Sequence, residues 1–135
     1  MNCAIKCAAA LVFTHLLVNM VHGAAHGKLQ VGLPPNGMRF VIAVIVVCPL
    51  LALALLWVLQ ERLGLLLLTF SMAASALFGL YNHFLVRGAD HVSAQPPSPW
   101  ATVFVVTAYL LFLTEALGTF LGLYFLRQKA PNVPD

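Results

Sequence analysis

Four polar residues stand at helical intervals inside one apolar stretch. His15, Asn19, His22 and His26 are separated by four, three and four positions, which on an α-helix places them at about 0°, 40°, 340° and 20° of the wheel. They therefore share one narrow stripe. Lipid would leave those groups unsatisfied, so the stripe is expected to face a helical interior, a partner helix or water. Its imidazoles can relay a proton, donate or accept a hydrogen bond, or ligate a metal, according to their protonation.

Glu115 is the second residue of this kind. It lies in the apolar run 111–122, and the nearest charge along it is Arg127. An acidic side chain at the centre of a membrane helix costs about 3 kcal/mol on insertion scales, which makes it a functional candidate by default. It is expected to be protonated unless a cation sits beside it. Counting inward from either flank places His15 and Glu115 at similar depth, so a His15–Glu115 contact near the middle of the bundle is the expectation.

The remaining histidines, His83 and His91, fall at the same end as His22 and His26. Three or four imidazoles, with Asp90 nearby, would suit divalent zinc or copper. A b-type haem would need two axial imidazoles on facing helices, and His22 with His83 is the candidate pair. His22 and His26 stand at i, i+4 but lack the glutamate of a zinc-protease motif. Equally, histidines and Asn19 can simply bond helices together, and His91 in a polar loop needs no special role. Cys48 reads as a small buried hydrophobe, and Cys3 and Cys7 as two thiols on one helix face without further ligands.

The elements that must position these groups follow from composition. Of 135 residues 61% are hydrophobic and 8% charged, against about a quarter charged in soluble domains. Each apolar run is long enough for a helix to cross the hydrocarbon core, which takes about 20 residues. Four spans are predicted, at about 4–22 (continuing towards His26), 38–59, 63–86 and 101–126, forming one domain over 1–135. Pro34-Pro35-Asn36-Gly37 and the prolines 96, 97 and 99 punctuate the two longer loops. Gln60, Glu61 and Arg62 form the short link between the second and third spans. The fold class predicted is an all-α membrane protein, an antiparallel four-helix transmembrane bundle. Pro49, near the middle of the second span, frees a carbonyl that neighbouring helices can re-satisfy.

Basic residues set the expected orientation. Lys6, Arg62, Arg127 and Lys129 lie on the side of the termini, and Lys28, Arg39 and Arg87 on the other, which favours cytoplasmic termini in a multi-pass protein. Trp57 and Tyr124 would then mark the inner interface, Tyr81 and Trp100 the outer. Lys6, the apolar run after it and the small residues 23–25 also resemble a secretory signal, whose cleavage would leave three spans. Against that, His15 and Asn19 interrupt the apolar region. Ser71, Ser75 and Gly79 recur every fourth residue, with Asn82 and His83 continuing that side, and Gly118 and Gly122 form a GxxxG beside Glu115. Both patterns favour close helix packing, with hydroxyls free to bond across.

Seven Lys and Arg against four Asp and Glu leave a net charge of +3, scattered singly, which excludes a nucleic-acid surface. The expected partners are the lipid bilayer and either further copies of the chain or another membrane protein. No phosphate loop or nucleophile elbow is present, so no enzyme class is indicated. The expectation is a small membrane protein that handles protons, metal ions or a small solute through a polar His/Glu interior. A haem- or metal-binding redox subunit, and an accessory subunit of a larger complex, remain alternatives.

Overall fold

The computed structural model describes residues 3–58 and 60–128. Lys129, used above for orientation, and Leu59, the predicted end of the second span, lie outside the described residues. Every regular element among the described residues is helical. Helix α1 is Cys3–Leu29, α2 is Pro35–Trp57, α3 is Glu61–Leu85 and α4 is Pro99–Gln128, and a short 3-10 turn, Val92–Ala94, lies between α3 and α4. All four helices are long and apolar enough to cross a membrane.

Helices α2 and α4 begin at prolines that the sequence pattern places in the preceding loops. A proline fits the first turn because its missing N–H would have no intrahelical partner there. Two helices change pitch along their length: Val41–Val47 in α2 and Leu80–Leu85 in α3 are wound as π-helix. Helix α1 ends in a Schellman turn, in which Val31 N–H donates to the His26 carbonyl at 3.0 Å and Gln30 N–H to the Gly27 carbonyl at 3.4 Å. Gln30 closes it in the left-handed region, at φ 57°, where a non-glycine residue is strained.

Helix α4 packs along α1 and α3, and α2 packs chiefly along α3. A dry core fills the end that holds the 58–60 link: Ala8 and Val12 of α1 meet Ala52 and Leu56 of α2 and Leu65, Leu68 and Met72 of α3. Close approach of α4 depends on its glycines. A Cβ on Gly118 would lie 2.7 Å from Met72 Cγ and 2.8 Å from Leu11 Cδ2, and one on Gly122 would strike the Thr69 side chain. The buried hydroxyls of α3 turn back on their own helix rather than across it, Ser71 donating to the Leu68 carbonyl at 3.1 Å and Ser75 to the Ser71 carbonyl at 2.7 Å. Large apolar side chains, among them Phe13, Met20, Phe70 and Phe120, point outward. Only 22–33% of each helix's most apolar stretch is buried, which leaves large apolar areas on the outside of the four helices.

Candidate metal centre

At the opposite end from the apolar core, two helices bring three imidazoles together. His22 and His26 come from α1 and His83 from the π-wound end of α3. One ligand nitrogen from each lies within 4.8 Å of the others. His22 Nε2 is 3.3 Å from His83 Nε2 and 3.2 Å from His26 Nε2. In a tetrahedral site with zinc–nitrogen bonds of about 2.0–2.1 Å, neighbouring ligand nitrogens stand about 3.3 Å apart.

The outward-facing nitrogens fix which atoms converge. A carbonyl oxygen can only accept, so Nδ1–H of His26 donates to the Val31 carbonyl at 3.0 Å, and Nδ1–H of His83 donates to the Asp90 carbonyl at 3.0 Å. His22 Nδ1 lies 2.8 Å from the Thr107 hydroxyl, which itself donates to the Val103 carbonyl at 2.7 Å and so accepts the His22 proton. With Nδ1 carrying the proton of each neutral ring, the unprotonated Nε2 atoms turn inward. In that tautomer the lone pair of His22 Nε2 faces those of its two neighbours at 3.2–3.3 Å, an arrangement that a cation among them would relieve. Bonds of this kind to the far nitrogen are how proteins orient metal-ligating histidines.

Local structure explains each placement. The 4-3-4 stripe of α1 carries His22 and His26 on one face, and the Schellman turn returns Val31 to clamp the His26 ring. The π-winding of α3 ends at Leu85, and the following loop carries Asp90 back over His83. The Asp90 carboxylate Oδ1 lies 3.3 Å from His26 Nε2 and 3.5 Å from His83 Nδ1. Phe104 of α4 seals the floor, its ring centroid 4.8 Å from that of His22.

The cluster opens on a cavity of about 350 Å³ whose polar lining includes His22, His26, His83, Asp90 and Glu115, with Asn19 and Ser75, and apolar walls between. Both Asp90 carboxylate oxygens and Glu115 Oε2 are buried without a hydrogen-bond partner among the described residues. Glu115 is 3% exposed. Its Oε2 lies 3.8 Å from the point a Cβ on Gly79 would occupy, and His83 Cδ2 lies 3.9 Å from that point. The absent side chain of Gly79 thus opens the space between carboxylate and cluster.

The other sequence candidates are placed elsewhere. His15 is fully buried, yet its nitrogens do not meet Glu115: Nε2 lies 3.3 Å from the Ile45 carbonyl oxygen and Nδ1 3.5 Å from the Thr114 hydroxyl. Pro49 has no N–H to offer the carbonyl four residues back, that of Ile45. His15 donates to that oxygen instead. His91 is also apart from the three converging rings: its Nε2–H donates to the Phe84 carbonyl at 3.2 Å and its Nδ1 accepts from Ser93 N–H at 3.1 Å, capping the 3-10 turn. The His22–His83 pair does not fit a haem, because a 3.3 Å gap between the two nitrogens, with His26 beside it, holds no porphyrin plane. Thr107 was not visible as a site residue in the sequence. Its signal is the seven-residue spacing to Thr114 on the buried face of α4.

No protein-family model, curated protein or solved structure matches the chain.

Proposed function

We propose that this chain is a multi-pass integral membrane protein, an antiparallel four-helix bundle with both termini in the cytoplasm, that binds a divalent transition-metal ion at His22, His26 and His83. Among the roles open to a polar His/Glu interior, metal handling is the one the geometry favours. The observation that carries it is the convergence of three imidazoles with ligand nitrogens within 4.8 Å of one another, His22 Nε2 standing 3.2–3.3 Å from the other two and each Nδ1 set against a separate acceptor. A structural trio of histidines is satisfied by a donor between neighbours; with every Nδ1 protonated, the Nε2 atoms of this one are left as acceptors for a cation. Three protein ligands and an adjoining cavity leave a fourth position open to exchange.

The membrane part of the reading is supported by the four apolar helices and by contacts that run in opposite senses along α1 and α4, His15 meeting Thr114 and His22 meeting Thr107. Orientation rests on the four basic residues of the terminal side against three on the other. The test is titration of the detergent-purified protein with Co²⁺. One equivalent should bind with the intense visible absorption of tetrahedral Co²⁺, and His22→Ala and His26→Ala should each abolish it. A protein that takes up no stoichiometric metal, or one whose His22→Ala variant binds as before, overturns the proposal.

A further inference from the structure

The metal reading leaves a charge to be balanced. Three neutral imidazoles bring no charge to a divalent ion, and the cavity that receives it is walled largely by apolar side chains. An uncompensated charge in such surroundings is costly. Among the described residues no Lys or Arg lines the cavity, and its acids are Asp90 and Glu115. Asp90 lies against two of the three rings. Glu115 stands about two helical turns along α4 from Thr107, its Oε2 buried and unpartnered, across from His83 over the space that Gly79 leaves open.

We propose that Glu115 is the second counter-anion of the metal site, a residue that does not ligate the ion but sets a preference for divalent over monovalent cations. Asp90 alone neutralises a monovalent ion; Asp90 and Glu115 together neutralise a divalent one. This rests on the metal reading and adds a specificity to it. The Coulomb energy of a fixed carboxylate scales with the charge of the ion. Removing that carboxylate, which the bound ion keeps ionised, must therefore weaken a divalent ion by at least the square of the factor by which it weakens a monovalent one. Damage to packing would weaken both alike.

The experiment compares Co²⁺ with Ag⁺ on detergent-purified protein in which Cys3, Cys7 and Cys48 are replaced by serine, since free thiols would capture silver. In Glu115→Gln the Co²⁺ dissociation constant is expected to rise about tenfold to a hundredfold and that of Ag⁺ about threefold to tenfold; Glu115→Asp, which keeps the charge, should stay within about threefold for both. Should Glu115→Gln fail to fold, Gly79→Leu places an apolar side chain between the carboxylate and His83, and the same excess loss of Co²⁺ is expected. Equal losses for the two ions, or no loss for either, overturn the inference while leaving the metal site standing. A parent protein that binds no Co²⁺ refutes the metal reading itself.

Discussion

Thr107→Val isolates the hydrogen bond that turns His22 towards the cluster. The side chain is 6% exposed, and valine keeps its branched shape while removing the oxygen that lies 2.8 Å from His22 Nδ1. The variant leaves two choices. Nδ1 can keep its proton, buried without an acceptor, at a cost of about 1–3 kcal/mol. Alternatively the proton moves to Nε2, where it donates to His83 or His26 and takes one ligand out of service. Either way the metal must reverse an unfavourable step, which at about 1.4 kcal/mol per decade corresponds to roughly fivefold to 150-fold in affinity. Independent experience with the outer partners of metal-binding histidines gives about 10- to 100-fold. The expected result is a Co²⁺ dissociation constant raised by that factor in competition with a chromophoric chelator, with stoichiometry and helical circular dichroism unchanged. Thr107→Ser restores the oxygen and should stay within about threefold of the parent. The reasoning is refuted if valine binds as the parent does, or if serine loses as much as valine.

Other expectations concern the frame around the site. His15→Leu strands the Ile45 carbonyl and should lower stability by about 1–3 kcal/mol in denaturant unfolding; adding Pro49→Ala supplies an N–H four residues on and should recover most of that, so additive single effects would discredit the pairing. Gly118→Val forces a side chain against Met72 and Leu11, and overpacking of this kind should cost about 1–3 kcal/mol in the same assay; unchanged stability would count against close packing of α4. In the cysteine-free protein, single cysteines at Gln60 and Gln95 should react with an impermeant maleimide from opposite sides of sealed vesicles. Labelling of both from one side would rule out the proposed topology.

Helix number and rough extent were legible because four uninterrupted apolar runs leave little choice in a chain so poor in charge. The boundaries erred at Pro35 and Pro99, since a proline that punctuates a loop also makes a favourable first helical residue. The π-wound segments were not legible, because a 100° wheel assumes uniform pitch and π-turns carry no simple residue signature. On α1 the 4-3-4 spacing was enough to draw the polar stripe. What each member meets was not, because similar depth is a weaker constraint than a specific unsatisfied partner. For His15 that partner was implicit in the sequence: Pro49 stands four residues after Ile45. For His22 it was a threonine hydroxyl on the last helix, a residue type too common in membrane helices to attract notice.

The hydrogen bonds of α1 also bear on how the chain is made. His15 finds its acceptor 30 residues later in α2, and His22 its Thr107 partner 85 residues later in α4. In a bilayer the first of these four helices to be synthesised would thus enter lipid with His15 and His22 unanswered, and would be completed only when α4 arrives. Such a helix is a poor independent unit of insertion and a good recognition surface for whatever shelters it meanwhile. Biogenesis of this protein is then cooperative from end to end: a chain stopped before α4 should be cleared by quality control rather than persist as a three-helix intermediate.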